Sequence, residues 1–406
     1  MYEEQNSKEA EFLKKVFSEY YKANFVDSVP EIEKREFGYG VFKKKIANRN
    51  LAFTSAKALN DFLVNEKPLF VSYSNAYYKH PDWKPMQTKD LIGADLIYEF
   101  DADELKTSCK DRHDSWTCVK GHTGKGRVKS CPECGEGVEN KEWFCSECIG
   151  EAKKQVFRLL DFFEKDLNFS PKDFSINFSG KAGYHVHLRS SAIKNLNKQA
   201  RIEIVDYITA NGIFFDNLGY NLDSLPLLLA KEKGAWVKRL NAGLKRFVKK
   251  EPQEIASITG LVKRKVSLIA SQHEEILKAM DKGFLLPVDG RKSGEFWKKA
   301  LEYVAQEEKA PIDRQTSIDL HKIVRVPMTL HGETGLIAAK VPLEKLESFD
   351  PFNDAIVLPD NKVKVFINKA PSFMLKGTSY GPYENEEALV PLYCAVYLIG
   401  KGAKLI

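Results

Sequence analysis

The stretch Tyr98-Glu99-Phe100-Asp101-Ala102-Asp103 is typical of a hydrophobic strand that ends in two carboxylates separated by one residue. Successive side chains of a strand point to opposite faces, so Asp101 and Asp103 are predicted to share one face. Like charges held this close repel each other unless a cation lies between them. Enzymes use paired divalent ions in this way for in-line phosphoryl transfer. The stretch therefore predicts a metal site, although an isolated Asp-x-Asp pair is also common at an ordinary strand end.

The composition is that of a globular protein with more than one domain. A chain of 406 residues suggests two or three domains, and a hydrophobic content of 43% suffices for a sizeable core. The net charge of +6 permits a nucleic-acid partner without requiring one. Residues Met1 to Gln5 show no basic segment before an apolar run, and no apolar run approaches 18 residues. We expect a cytoplasmic protein with no signal peptide and no membrane span.

Cysteines are concentrated in one segment, because six of the seven lie between Cys109 and Cys148. Two Cys-x2-Cys pairs and two Cys-x3-His pairs supply eight ligands for a soft metal: Cys109, His113, Cys118, His122, Cys131, Cys134, Cys145 and Cys148. Zinc prefers four nitrogen or sulfur ligands in a tetrahedron, so eight ligands predict two structural zinc ions. A cluster of disulfides fits an intracellular chain poorly.

The pairing of these ligands is open between two arrangements. We favour a nested one, in which an outer set ties the acidic strand to the long helix that follows: Cys109, His113, Cys145 and Cys148. The inner set would close a small knuckle within the insertion: Cys118, His122, Cys131 and Cys134. Sequential pairing across the two sets is the alternative.

Apolar patterning predicts an α/β (α+β) fold with a mixed-sheet core. Strands are predicted as a pair within 37–55 and singly at 69–76, 95–100, 174–178, 185–189 and 322–330. Helical spacing predicts helices over 8–24 and over a second segment with apolar residues Ala152, Val156, Leu159, Leu160, Phe163 and Leu167. We expect a catalytic core formed by 1–190 and 309–406, a zinc-binding insertion at 105–150 and an inserted helical subdomain at 191–308.

The turn Ser179-Gly180-Lys181-Ala182-Gly183 joins two predicted strands. Its two glycines permit the backbone to approach a phosphate closely. Lys181 supplies charge, Ser179 supplies a hydroxyl, and His185 follows on the next strand. The turn is therefore a candidate phosphate-binding site, and the alternative is an ordinary hairpin with surface histidines.

A third carboxylate, Asp313, precedes the predicted strand that carries Arg325 and leads to His331. That strand could place Arg325 and His331 beside the acidic pair. A pair of divalent ions requires a third carboxylate if Asp101 and Asp103 are shared ligands.

The segment from Lys231 to Lys250 contains eight lysines and arginines against one acid, Glu232. Its apolar residues fall on one helical stripe: Trp236, Leu240, Leu244 and Val248. The cations would then face solvent, where they form either a nucleic-acid contact surface or an ordinary solvated helix face.

These features, in this order, resemble the small catalytic subunit of archaeal and eukaryotic DNA primase. The resemblance rests on Asp101-x-Asp103, the zinc insertion directly after it, Ser179-Gly180-x-x-Gly183-x-His185, Asp313, Arg325-x-Pro327 and His331. It extends from Arg35-Glu36-Phe37 to Phe349-Asp350-Pro351-Phe352. The cysteine pairs and His331-Gly332-x-Thr334-Gly335 favour the archaeal branch.

The resemblance implies an enzyme that condenses nucleoside triphosphates into short primers on single-stranded DNA. Asp101, Asp103 and Asp313 would hold two Mg2+ or Mn2+ ions. The residues expected to contact nucleotide phosphates are Ser179, Lys181, His185, Arg325 and His331, with Arg49 as a looser match. A heterodimer with a large iron–sulfur subunit is implied as well, in the archaeal cytoplasm and associated with the nucleoid.

Two residues depart from the family pattern. Ala182 lies where relatives often carry a basic residue, so we expect one phosphate contact to be absent or to be supplied by Lys181. Glu333 lies where archaeal relatives often have lysine. An acid at that point would repel a triphosphate. We expect Glu333 to turn outward or Arg325 to compensate for it.

Two other functions explain part of the pattern. A stand-alone primase-polymerase or an end-joining polymerase would share the acidic triad and the Ser-Gly turn, but the zinc insertion and helical subdomain disfavour the compact end-joining type. A non-catalytic, zinc-dependent nucleic-acid-binding protein would explain the cysteines and the basic segment. It would not explain three carboxylates beside turns suited to phosphate.

Overall fold

A computed structural model describes residues 7–406 of the chain. The residues Met1 to Gln5, on which the expectation about a signal peptide rests, lie outside this range. Between residues 7 and 406, no helix is both long and apolar enough to span a membrane. The chain divides into two compact units. The core unit contains the described residues up to Phe157 together with Ser170–Ile202 and Ile312–Ile406, and the helical unit contains Arg158–Phe169 and Glu203–Pro311.

The strands of the described chain all belong to the core unit. They are β1 (Phe37–Val41), β2 (Lys44–Leu51), β3 (Phe70–Ser74), β4 (Ala76–Tyr78), β5 (Leu91–Ala94), β6 (Leu96–Asp101), β7 (Ser115–Cys118), β8 (Thr123–Lys125), β9 (Val138–Lys141), β10 (Phe174–Phe178), β11 (Gly183–Leu188), β12 (Ile323–Arg325), β13 (Lys340–Val341), β14 (Lys362–Ala370), β15 (Phe373–Leu375), β16 (Thr378–Tyr380), β17 (Tyr383–Pro391) and β18 (Lys404–Leu405).

The helices occur in both units. They are α1 (Lys8–Ala23), α2 (Ala56–Glu66), α3 (Lys110–His113), α4 (Ser146–Asp161), α5 (Ser191–Lys194), α6 (Lys198–Ile208), α7 (Ala235–Phe247), α8 (Pro252–Thr259), α9 (Lys263–Ser271), α10 (His273–Asp281), α11 (Ser293–Glu308), α12 (Arg314–Ile318), α13 (Pro351–Asp354) and α14 (Leu392–Gly400). Side chains cap the start of several helices; for example, Ser7 accepts a hydrogen bond from the backbone of Ala10 and Ser55 accepts one from Ala58.

Two four-stranded sheets form the centre of the core unit, in the orders β12-β3-β1-β2 and β13-β10-β11-β6. Smaller sheets are formed by β17-β14-β18, β8-β7-β9, β15-β16 and β4-β5. The α/β class is confirmed. The expected mixed sheet takes the form of several small sheets, and the strand pairs found in residues 7–406 are antiparallel.

The predicted helices and strands near the acidic pair are confirmed, with ends that shift by a few residues. The predicted strand at 95–100 is β6, which ends at Asp101 itself. Its partner β11 begins at Gly183, so the predicted phosphate turn connects β10 directly to the neighbour of the acidic strand. Both features therefore lie at one end of the same sheet.

The compact units divide the chain at other places than the domains expected from the sequence. Residues 191–202 stay with the core unit because the buried Arg201 donates to the carbonyls of Ala94 (2.7 Å) and Asp95 (2.9 Å). Residues 158–169 join the helical unit because Phe162 packs against Trp236, with ring centroids 5.5 Å apart.

The basic segment from Lys231 to Lys250 forms α7 and its flanks, and its predicted apolar stripe is buried as expected. Four of its eight cations are engaged in ion pairs with acids of the helical unit: Arg239 with Asp161 and Asp166, Lys245 with Asp281, Arg246 with Glu308, and Lys250 with Glu254. This pairing favours the solvated helix face over a nucleic-acid contact surface.

Candidate active site and metal centres

A cavity of about 290 Å3 lies in the core unit and is lined by residues from both four-stranded sheets. Most of the predicted site residues line it: Asp101, Asp103, Ser179, Lys181, His185, Arg325 and His331. The antiparallel pairing of β6 with β11 brings the acidic pair and the Ser-Gly turn together, because both lie at the same end of one sheet.

The cavity contains a run of carboxylates on one side. Glu99, Asp101 and Asp103 alternate along the chain and all line the cavity, as the period of a strand requires. Burial, followed by the charges of Asp103 and Glu99, raises the pKa of Asp101 to about 7. The Oδ1 atom of Asp103 is buried and has no hydrogen-bond partner among residues 7–406. A buried bare carboxylate oxygen beside a second acid fits a divalent cation, which would supply the missing partner.

Gly183 fixes the distance between the acidic strand and the phosphate turn. It pairs directly with Asp101, and a Cβ atom at this position would lie 2.6 Å from the Asp101 Oδ1 atom and closer still to the Phe100 carbonyl. Because the neighbouring atoms belong to backbone and to a constrained carboxylate, only glycine fits here. The Ala102 backbone N–H also donates to the Ala182 carbonyl at 3.0 Å, so the turn and the acidic loop form one structure.

The turn itself is closed by Ser179. Its Oγ atom accepts hydrogen bonds from the backbone N–H groups of Lys181 (3.4 Å), Ala182 (3.3 Å) and Gly183 (3.2 Å). Gly180 has a φ of +83°, and a Cβ there would lie 2.8 Å from the His331 Cβ. The turn therefore packs tightly against the loop that carries His331.

Arg325 and His331 form the cationic side of the cavity. Arg325 is partly buried beside the Phe70 ring, and its buried Nε and Nη1 atoms have no hydrogen-bond partner in the described chain. Burial lowers the pKa of Arg325 to about 10, so the group is still charged at neutral pH. Burial also places the pKa of His331 well below its ordinary value. The backbone N–H of Glu333 donates to His331 Nδ1 at 3.2 Å, which leaves the ring proton on Nε2.

Lys181 is held in an ion pair with Glu333, its Nζ atom 2.7 Å from a carboxylate oxygen. Burial would lower the pKa of Lys181, but Glu333 and Glu142 outweigh it and raise that pKa. Burial likewise opposes ionisation of Glu333, and Lys181 nevertheless holds the pKa of Glu333 below its usual range. The acid is thus compensated by Lys181, and neither an outward turn nor Arg325 is needed.

His185 lines the cavity between the two charge types. Burial lowers its pKa, so the ring is neutral, and its Nε2 atom lies 3.8 Å from a carboxylate oxygen of Glu99. Ala182 is buried in the turn, and no basic side chain extends from that position. Position 182 therefore offers no cation, and the neighbouring cation of the turn that lines the cavity is Lys181.

Two predicted residues do not line the cavity. Arg49 donates to the buried Glu36 at 2.9 Å and to the His321 carbonyl at 3.2 Å. Asp313 caps α12, where its carboxylate accepts hydrogen bonds from the Gln315 backbone (2.9 Å) and from the Thr316 hydroxyl. Helix α12 contacts β6, so Asp313 is near the acidic strand, but its carboxylate is occupied as a cap.

Sequence reasoning missed several residues that line the cavity: Lys45, Ser72, Glu99 and Lys322. Glu99 lies two residues before Asp101, so strand alternation alone could have identified it. Its carboxylate lies 3.2 Å from the Lys322 Nζ atom. Lys45 lowers the pKa of Asp101 through its charge, and nothing in the local sequence indicated this.

The cysteines and histidines of the insertion assemble into two groups of four. Within each group the ligand atoms lie within 4.8 Å of one another, and the groups have the nested membership: Cys109, His113, Cys145 and Cys148 in one, and Cys118, His122, Cys131 and Cys134 in the other. The cysteines of the described chain are free thiols, so no disulfide competes with a metal.

One sulfur pair in each group has the spacing of tetrahedral zinc, whereas the Cys109 and Cys148 sulfurs are closer, at 3.2 Å. Zinc–sulfur bonds of about 2.3 Å place two sulfurs about 3.8 Å apart in a tetrahedron. In the outer group Cys145 and Cys148 have sulfurs 3.9 Å apart, and the inner pair Cys118 and Cys134 has the same separation. Hydrogen bonding from Cys148 and then His113, against the effect of burial, lowers the pKa of Cys145 to about 3, which favours the thiolate that binds metal.

A pair of neighbouring carboxylates, one with an unpartnered oxygen, and an arginine with two unpartnered nitrogens line the same small cavity, which suits metal-assisted transfer of a phosphoryl-type group. In an α/β core with a zinc-type insertion, these features define the class of protein as a nucleotidyltransferase. Comparison with known proteins makes the assignment specific. The sequence profile of the DNA primase small subunit family matches residues 137–343, about half of the chain.

Archaeal relatives match over nearly their full length. The chain is 30% identical over 404 residues to the DNA primase small subunit PriS of Nitrosopumilus maritimus, with 98% of each chain covered. It is 29% identical to the PriS protein of Methanothrix thermoacetophila, again with 98% of each chain covered. Its identity to the PriS protein of Methanococcoides burtonii is 28%, with 97% of each covered.

The chain therefore belongs to the DNA primase small subunit family. The resemblance, the enzyme class and the function in primer synthesis that were expected from the sequence are confirmed.

We predict that Gly183→Ala disrupts the site, because the new Cβ cannot coexist with the Phe100 carbonyl and the Asp101 carboxylate in their present positions. The overpacking should cost about 1 to 3 kcal/mol of stability, measured as a lower thermal unfolding midpoint, and primer synthesis should fall with it. Gly150→Ala, in the open face of α4, is the matched control and should be neutral or slightly stabilising. A Gly183→Ala protein with unchanged stability and activity would contradict this account.

Proposed function

We propose that the cavity is the active site of primer synthesis and that Asp101, Asp103 and Asp313 hold two Mg2+ or Mn2+ ions there. The observation that carries the proposal is that unpartnered atoms of opposite charge belong to residues that line one cavity of about 290 Å3. Asp103 has a buried Oδ1 atom, and Arg325 has buried Nε and Nη1 atoms, that find no hydrogen-bond partner in residues 7–406, and both residues line this cavity. Two unsatisfied charged groups of opposite sign are costly unless a metal and an anion fill the space between them.

The ions would activate the primer 3′-hydroxyl and neutralise charge that develops on the triphosphate. The hydroxyl gives its proton to solvent water, its oxygen bonds to the α-phosphorus of the incoming nucleotide, the bond from that phosphorus to the bridging oxygen of the β-phosphate breaks, and pyrophosphate leaves. Arg325 and the Nε2–H group of His331 bind the phosphates. Ser179 and Lys181 bind them from the turn, with His185 at the base of the cavity.

Asp313 requires a local change to act as a ligand. Its carboxylate caps α12 through Gln315 and Thr316. Because α12 contacts β6, rotation of the side chain toward the acidic strand is the change that we propose on metal binding. Arg49 would likewise have to leave Glu36 to reach a phosphate, and it therefore ranks last among the nucleotide-binding residues.

Partners and zinc complete the proposal. We propose that the chain acts on a single-stranded DNA template and its primer, with NTPs or dNTPs as substrates. It would do so in the cytoplasm, in association with the nucleoid. A heterodimer with a large iron–sulfur subunit is proposed from the family resemblance. Each Cys/His group is proposed to hold one structural zinc, because no ligand position in either group is left for water.

The central test replaces Asp103 with asparagine, which keeps the shape of the side chain and removes its charge. Template-dependent synthesis from labelled NTPs and dNTPs, in separate reactions with Mg2+ or Mn2+, should fall ~10²–10³-fold. Asp111→Asn, an exposed acid in the insertion, should leave synthesis unchanged. If the wild-type protein binds DNA but makes no product even with a large subunit added, the result would favour a non-catalytic, zinc-dependent nucleic-acid-binding protein.

Glu333 provides a test of the phosphate side. We predict that Glu333→Gln lowers the KM for NTP about fivefold, because Lys181 no longer has to leave an ion pair worth ~1 kcal/mol before it binds a phosphate. The value of kcat should change little, and Glu344→Gln, an exposed acid nearby, serves as the control. An unchanged or higher KM in steady-state kinetics would show that Lys181 does not bind the triphosphate.

Zinc content tests the two Cys/His groups. Mass spectrometry of metals in the purified chain should give two zinc ions per molecule, and Cys134→Ser should give one because it removes a ligand of the inner group only. The buried Cys394 lies outside both groups, so Cys394→Ala should retain two. Retention of two zinc ions by Cys134→Ser would contradict the proposal that Cys134 is a required zinc ligand.

A further inference from the structure

The backbone carbonyl of Asp103 accepts hydrogen bonds from two cationic side chains, whereas no group of the described chain donates to its carboxylate Oδ1 atom. The Nζ atom of Lys110 donates to this carbonyl at 3.0 Å, and an Nη1 hydrogen of Arg127 donates at 3.3 Å. Lys110 also donates to the Leu105 carbonyl. Asp103 follows the last residue of β6 in an irregular loop, so these contacts hold the residue where the sheet no longer does.

Both cations come from the zinc-type insertion and not from the sheets. Lys110 begins α3, directly after the outer-group residue Cys109, and Arg127 follows β8. The loop that carries a proposed metal ligand is therefore held from the side of the insertion. The Ala102 N–H bond to Ala182 holds the same loop from the side of the turn.

Arg127 is in turn held by Asp114, a fully buried carboxylate. The Nε–H group of Arg127 donates to Asp114 Oδ2, and its Nη1 atom lies 3.1 Å from Glu142. The other Asp114 oxygen accepts from the Trp143 backbone at 2.9 Å and lies 2.8 Å from His113 Nδ1. A planar guanidinium can serve three such partners at once, which a lysine ammonium cannot do in the same geometry.

His113 connects this chain of contacts to the outer Cys/His group. Its Nε2 atom lies 3.2 Å from the Cys148 sulfur, on the side opposite to the Nδ1 contact with Asp114. A carboxylate on the second nitrogen of a metal-binding histidine fixes the ring and strengthens the ligand. The contacts thus run without a gap from the outer group through His113, Asp114 and Arg127 to Asp103.

A purely structural role for Arg127 would end within the insertion, where Asp114 and Glu142 already satisfy its charge. The bond to the Asp103 carbonyl leaves the insertion and reaches the active-site loop. We propose that Arg127 is a positioning residue that holds the Asp103 carboxylate ready for a divalent ion and couples the outer Cys/His group to the active site. This inference rests on the proposed role of Asp103 in metal binding.

The first test measures Mn2+ binding directly, by electron paramagnetic resonance titration of the free ion. Arg127→Met should keep two zinc ions, bind Mn2+ about tenfold more weakly, and regain its kcat as Mn2+ is raised. Arg127→Lys should recover part of the affinity. Lys129→Met, an exposed cation two residues away, should behave as wild type. Arg127→Met that retains both zinc ions and wild-type Mn2+ affinity would overturn the proposal.

Lys110→Met removes the other cation that donates to the Asp103 carbonyl. It is the deciding variant if Arg127→Met fails to fold or loses zinc. It should also weaken Mn2+ binding while the KM for NTP at saturating Mn2+ is unchanged. A merely destabilised protein would not be rescued by added Mn2+. Unchanged Mn2+ affinity in a folded Lys110→Met protein would contradict the proposal.

Coupling is reciprocal, so an unmodified active site offers a further measurement. In Cys134→Ser, which keeps the outer group alone, Mn2+ should slow the transfer of zinc to a zinc-selective chelator, and Asp103→Asn should abolish that effect. An equal transfer rate with and without Mn2+ would overturn the coupling. If wild type shows no Mn2+ binding that depends on Asp103, the proposed function itself fails, which is a distinct result.

Discussion

The antiparallel pairing of β6 with β11 places Asp101 opposite Gly183, and both halves of the site depend on that register. A slip of one residue would turn the carboxylates to the other face of the sheet. The missing side chain at Gly183 lets the acidic strand and the Ser-Gly turn approach without a clash. The turn then packs on the loop of His331, and β12 brings Arg325 to the same cavity. The relative positions of the acidic pair and the Ser-Gly turn therefore depend on one strand pair and one glycine.

The unpartnered charged groups in the cavity lower the stability of the folded protein. Asp103 keeps a buried oxygen without a partner, and Arg325 keeps two buried nitrogens without one, within the described chain. Each such group costs free energy that the surrounding sheets must offset. Lys181 is already paired with Glu333, whereas two nitrogens of Arg325 have no partner in the described chain. A cavity of this kind is expected where a metal and a polyanion complete the electrostatics.

Much of this arrangement follows from local sequence. The acidic strand end, the glycine turn and the Cys-x2-Cys and Cys-x3-His pairs are short patterns whose spacing determines geometry, and the structure assembles them as expected. Pairs formed through space carry no such signal. Nothing near Glu333 indicates Lys181, and nothing near Arg127 indicates Asp103. The unit boundaries depend on Phe162 and Arg201 finding distant partners, which periodicity does not report. The same holds for the caps and ion pairs that keep Asp313 and Arg49 from lining the cavity.

The most direct measurement is a crystal structure of the chain with Mn2+ and a non-hydrolysable NTP, with anomalous scattering recorded at the manganese and zinc edges. The account predicts manganese between the carboxylates of Asp101 and Asp103, with the triphosphate against Arg325 and His331. Zinc signals should lie only at the two Cys/His groups. Ordered nucleotide without manganese at the acidic pair, or manganese bound elsewhere, would contradict it.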